Sequence, residues 1–122
     1  MNDDLPTLDH AALDRLLEMT GGDPAFVEEL IQTFLEDGAV QLGEMAAAGP
    51  AAEAGSPEAL VRPAHSLKSN CASVGAMRLS ELARGLEADA RSGGVPRAIE
   101  RVAEALAEFE AVTALLAARE RP

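Results

Sequence analysis

Four glycine-containing breaks, Gly21-Gly22, Gly49-Pro50, Val74-Gly75 and Gly93-Gly94, cut the chain into five stretches, each with apolar residues at helical spacing. No stretch alternates apolar and polar residues as a half-buried strand would. In the first, Thr7 or Asp9 can cap a short helix that places Leu13, Leu16 and Leu17 on one face, and Gly21-Gly22 can close it. In the second, Asp23 is placed as N-cap and Pro24 as first helical residue, followed by Phe26, Val27, Leu30, Ile31, Phe34 and Leu35. Gly49-Pro50 is expected to end it, with the Ala-rich stretch around residues 46 to 54 as a connector. Ser56-Pro57-Glu58 then reads as a new helix start, and Leu60, Ala64, Leu67, Cys71 and Val74 form the buried stripe of the third helix.

The fourth helix carries Leu79, Leu82, Ala83 and Leu86 on one face. The fifth is expected from about Val95, with Pro96 in its first turn and a seam of Val95, Ile99, Val102, Leu106, Phe109, Thr113 and Leu116. The predicted helices are therefore about 8–20, 24–48, 57–74, 76–92 and 95–118. Composition agrees: 25 Ala, 16 Leu and 14 Glu stand against seven Val, two Ile and four Thr. Short glycine turns favour antiparallel neighbours, so the expected fold is all-α, an antiparallel four-helix bundle with a short N-terminal cap helix, in a single domain over residues 1–122.

Much chemistry is disfavoured by this sequence. A net charge of -11 repels phosphate backbones and anionic membrane surfaces, so neither nucleic acid nor membrane is an expected partner. No apolar run approaches the ~20 residues of a membrane span, and the acidic start MNDDLPTLDH is unlike a signal peptide, so a cytoplasmic location is expected. Cys71 is the sole cysteine, which excludes an internal disulfide and leaves too few thiols for a zinc site. There is no glycine-rich phosphate loop, no nucleophile elbow and no Glu-x-x-His pair. Two histidines remain. His10 has no charged or nucleophilic companion at helical spacing and reads as surface.

His65 lies about 140° around the third helix from the buried stripe and so faces outward. Val61, Arg62, Lys68, Ser69 and Ala72 share its face, and Lys68 is the only lysine in the chain. A cation one turn from an exposed imidazole suits a histidine that carries a phosphoryl group. Spacing alone leaves an ordinary surface His beside an ordinary surface Lys as the competing reading.

The run Ala64-His65-Ser66-Leu67-Lys68, then Val74-Gly75-Ala76, Leu79, Leu82 and Leu86-Glu87, resembles the histidine-containing phosphotransfer (HPt) domain family. The stretch LLEMTGGDPAFVEELIQTFL is similar to the first two helices of such domains. The resemblance implies a phosphorelay intermediate in which His65 accepts a phosphoryl group from, and donates it to, receiver-domain aspartates. It implies that Lys68 offsets the phosphoryl charge, and that Glu87 accepts a hydrogen bond from the imidazole Nδ1; a surface carboxylate is the other reading of Glu87. Ser69 stands where many members have glycine, and Arg62, Ser69 and Ala72 fall on the implied docking face. The implied partners are a response-regulator receiver domain and a histidine kinase, often a hybrid one. The chain itself would be a monomeric phosphocarrier with no cofactor, no metal, no ATP binding and no kinase activity, the Mg²⁺ belonging to the receiver. The alternative is a helical adaptor that binds signalling proteins without being phosphorylated. Replacing Ser69 with Trp on this outward face should leave helical content intact by circular dichroism while slowing phosphoryl transfer; an unchanged rate would show the docking face to be elsewhere.

Overall fold

The structure is a computed structural model that describes residues 4–119; residues 1–3, part of the acidic start, lie outside the described residues. It is all-helical, with no strand among the described residues. The helices are α1 (His10–Met19), α2 (Pro24–Glu53), α3 (Glu58–Val74), α4 (Met77–Arg91) and α5 (Ala98–Ala118). α2 packs on α3 and α5, α4 packs on the same two, and α1 touches α2 and α3. Leu42, Met45, Leu60, Leu67, Leu79, Leu86 and Leu116 fill the space between them and are almost fully buried. Each such leucine or methionine truncated to alanine should cost about 2–5 kcal/mol.

Side-chain caps explain where the first two helices begin. Asp9 takes extended backbone and its side chain accepts from Ala11 N, which makes it, rather than Thr7, the cap of α1. Asp23 accepts from Ala25 N and Phe26 N, with Pro24 as the first helical residue, as the sequence predicts. α3 begins differently: Pro57 is its N-cap residue and no side chain, Ser56 included, caps it.

α2 does not end at Gly49-Pro50 but runs on to Glu53. Proline removes one N–H from the helix, and its carbonyl still accepts from Ala54 N at 3.1 Å. Packing outweighs the lost bond. Ala48, Gly49 and Ala52 are buried, and a Cβ at Gly49 would meet Ile99 Cγ1 at 3.6 Å. The stretch expected as a connector is therefore a helical contact with the start of α5. Glu53 completes it by accepting from Ile99 N at 3.1 Å, capping α5 from another helix.

α5 starts at Ala98 rather than Val95, because Arg97 adopts a left-handed conformation at φ 57 and leaves Pro96 outside the helix. Its seam is also rotated from the expected one. Ala98, Val102, Ala105, Val112 and Leu116 are buried with Phe109 packed beside them, whereas Ile99 and Leu106 are 52% and 37% exposed. On the α2 side the close approaches are at glycines: Gly49 lies against Ile99 and Gly38 against Phe109. Phe109 lies over Gly38, where a Cβ would come within 2.7 Å of its ring, and stacks tilted on Phe34 with centroids 5.9 Å apart.

Gly75 makes the passage from α3 to α4. It sits at φ 85, donates nothing to α1 but accepts from Asp9 N at 2.8 Å, and a Cβ there would lie 2.6 Å from the Asp9 carbonyl oxygen. Gly75→Ala should therefore destabilise by at least about 2 kcal/mol, lowering Tm by roughly 4 °C per kcal/mol. Gly43, in the interior of α2 with open space around it, sets the opposite sign: Gly43→Ala should stabilise by about 0.5–1 kcal/mol in thermal or urea unfolding.

Candidate functional site

α3 and α4 meet along their length and bring the site residues together. On α3 the exposed stripe is Arg62, His65, Ser69 and Ala72, at spacings of three, four and three, opposite the buried Leu60, Ala64, Leu67 and Cys71. Lys68 stands at the edge of that stripe facing α4, with 32% of its side chain exposed. Ser80, in the first turn of α4, donates its hydroxyl to the Lys68 carbonyl at 3.0 Å and so fixes the register of the two helices beside the site.

Glu87 comes from the α4 side. It is 6% exposed and is the buried charged residue of the core, so the surface reading of this carboxylate is corrected. Its Oε2 lies 2.8 Å from His65 Nδ1, and its Oε1 accepts from Lys68 Nζ at 2.8 Å. Arg91, one turn further along α4, donates Nε to Oε2 at 2.9 Å and holds Nη2 at 2.8 Å from the same oxygen. A carboxylate taken out of water is stable only with such partners. The Lys68 ammonium, then the Arg91 guanidinium and the His65 ring, hold the Glu87 carboxyl at about 2 against an ordinary 4.5, although burial pushes the other way.

The tautomer of His65 follows. An ionised carboxylate only accepts hydrogen bonds, so Nδ1 carries the hydrogen, and in the neutral ring the lone pair is on Nε2. The side chain is 54% exposed, and among the described residues no group bonds Nε2. The result is an imidazole anchored on one nitrogen and open on the other, beside an ammonium. That arrangement suits a nucleophile.

Other groups are placed away from it. His10 is exposed at the start of α1 and has no part in this cluster. Cys71 is buried on the far face of α3, and burial pushes its thiol up to about 12, which makes it a poor nucleophile. Among the described residues no group of three or more His, Cys, Asp or Glu could hold a metal ion, and no helix is long and apolar enough to cross a membrane. Arg91 is the site residue that the sequence reading misses; its signal was the Glu87–Arg91 spacing of four, in the orientation that favours an ion pair along a helix.

Comparisons with known proteins bear on this geometry. The sequence profile described as the Hpt domain matches residues 29–118. The crystal structure of histidine-containing phosphotransfer protein B (HptB) from Pseudomonas aeruginosa PAO1 is similar in fold, with a TM-score of 0.80 and 30% sequence identity over 92% of each chain. No curated protein sequence matches significantly.

Because the Glu87 carboxyl binds its proton less readily folded than unfolded, its ionisation stabilises the fold above pH ~4.5, and that stability is lost as pH falls towards 2. Urea midpoints of wild type and Glu87→Gln should differ at pH 7 and converge between pH 4.5 and 2. A gap that does not change with pH would show that Glu87 is not held as the structure has it.

Proposed function

The chain belongs to the Hpt domain family, with a histidine phosphotransfer role in phosphorelay signalling, and we propose that His65 is the residue that carries the phosphoryl group. The observation that supports this is the Glu87 carboxylate on His65 Nδ1, which leaves Nε2 outward with its lone pair. In transfer from a receiver, that lone pair forms the N–P bond while the P–O bond to the receiver aspartate breaks, its electron pair leaving on the aspartate carboxylate. No proton has to move. The ring gains positive charge with Nδ1 still protonated, and Glu87 lies directly against that charge. Return transfer reverses each step.

Lys68 is the group placed to offset phosphoryl charge, worth about 1 kcal/mol when solvated and at most ~4 at close range. Its resting partner is Glu87, so it must turn from the carboxylate to the phosphoryl oxygens. The Mg²⁺ and remaining donors of the transition state belong on this reading to the receiver, and the chain is a phosphocarrier with no ATP binding, kinase activity or cofactor of its own. Receiver domains and histidine kinases are its partners, docking transiently over the stripe of Arg62, Ser69 and Ala72, where the small Ser69 and Ala72 side chains admit an approaching aspartate. We read the helices as one domain, an antiparallel four-helix bundle of α2 to α5 with α1 as its cap. The contacts Gly38–Phe109 and Gly49–Ile99 between α2 and α5, and 65–87 and 68–80 between α3 and α4, run in opposite directions and support it. A cytoplasmic monomer completes this reading.

Given a phosphorylated cognate receiver and Mg²⁺, the wild type should gain at most one acid-labile phosphoryl group per chain, and His10→Gln should gain the same. His65→Gln should gain none while keeping wild-type helicity and melting within about 1 kcal/mol, because the Gln amide can donate towards Glu87. Labelling of folded His65→Gln would overturn the assignment, and failure of every receiver and kinase in a panel to label the wild type would favour the unphosphorylated adaptor.

A further inference from the structure

Glu87 holds three cationic or ring donors at once, and they do not come from the same helix. His65 and Lys68 reach it from α3, whereas Arg91 reaches it along α4 at a spacing of four. Lys68 occupies Oε1; His65 Nδ1 and Arg91 share Oε2. The two nitrogens of an imidazole face different directions, so the carboxylate that holds Nδ1 is not where oxygens attached at Nε2 would lie, and Lys68 rests on that carboxylate. To bring its charge to the phosphoryl group Lys68 has to give up its contact with Oε1. If Lys68 were the carboxylate's sole counterion, its departure would strand a buried charge, and the carboxylate would hold it back.

We infer that Arg91 is a positioning residue for phosphoryl transfer: it keeps Glu87 neutralised and its Oε2 under His65 Nδ1, and so releases Lys68 to the phosphoryl oxygens. The inference rests on His65 as the phosphoryl carrier. Arg91 is suited to the task because two of its nitrogens engage one oxygen and because its tie to Glu87 lies within α4, unaffected by what moves on α3. Its side chain is 58% exposed, so it can follow the carboxylate without disturbing the core. It touches neither the reacting nitrogen nor a substrate, and acts through Glu87 and Lys68.

This handover makes Arg91 and Glu87 non-additive. If Arg91→Ala slows transfer from a phosphorylated receiver ~5-fold in the wild type, it should cost no more than about twofold in a Glu87→Gln background, where no buried carboxylate is left to hold Lys68. Arg91→Lys, which restores a cation at that spacing, should recover most of the rate. The sole lysine offers a second readout that a merely structural role would not move. Phosphorylation should shift the ¹⁵Nζ signal of Lys68 in the wild type, and leave it largely at its Glu87-bound position in Arg91→Ala. An undiminished ~5-fold loss from Arg91→Ala in the Glu87→Gln background, or a Lys68 signal that shifts equally in the wild type and Arg91→Ala, would overturn the inference while leaving His65 labelling, and hence the phosphocarrier reading, intact. A wild type that no receiver labels would overturn both.

Discussion

A buried carboxylate that must stay charged organises this end of the molecule. Glu87 lies in the α3–α4 interface, where an unpartnered charge would cost several kcal/mol and the group would take up a proton instead. Its partners prevent that. Because they come from both helices, the same carboxylate that neutralises Lys68 and Arg91 also fixes which nitrogen of His65 is exposed. Stability and chemistry therefore share one group. Removing its charge would loosen the contact between α3 and α4 and at the same stroke free the imidazole to choose its tautomer.

That carboxylate can reach all three partners only if the two helices are held in register, and the register is set elsewhere. Gly75 turns the chain in a left-handed conformation within two residues, and its carbonyl is fastened to Asp9 N, the residue that caps α1. Ser80 then ties the first turn of α4 to the Lys68 carbonyl. A shift of one residue in α4 would rotate Glu87 by about 100° and carry it off the interface. The start of α1 thus bears on the site, because Asp9 and Ala12 occupy the space that any side chain at position 75 would need.

The sequence made the buried faces of α3 and α4 legible through their recurring leucines, and the outward direction of His65 followed from the α3 stripe alone. Caps built from Asp with a following Pro, as at Asp23-Pro24, were equally readable. The errors have one physical source: small residues carry no sign of whether they are buried. Gly49-Pro50 looks like a stop until Ala48, Gly49 and Ala52 are seen to be buried, Gly49 against Ile99 of α5, and the α5 seam was drawn through Ile99 and Leu106 although Ala98 and Ala105 are the buried residues. At the site, no local pattern distinguishes a buried Glu87 from a surface one; resemblance to a family pointed to its partner His65. Arg91 was missed for a related reason, since a Glu and an Arg four apart in a helix are commonplace, and only burial of the Glu gives the pair meaning.

The distribution of charge shows how such a plain surface can select a partner. The chain carries 21 acidic and 10 basic side chains, yet Arg62, Lys68 and Arg91 all lie within a turn of His65 or share the carboxylate that holds it. Glu87 offsets part of that charge. An anion approaching the molecule therefore meets an acidic protein with three cations gathered around one imidazole, a contrast that steers orientation more than it adds affinity. The site needs no pocket on this account. With His65 as the proposed carrier, a phosphorylated aspartate would meet Nε2 on a half-exposed ring with Lys68 beside it, and would leave as readily as it came, as a carrier that must both accept and give away its group requires.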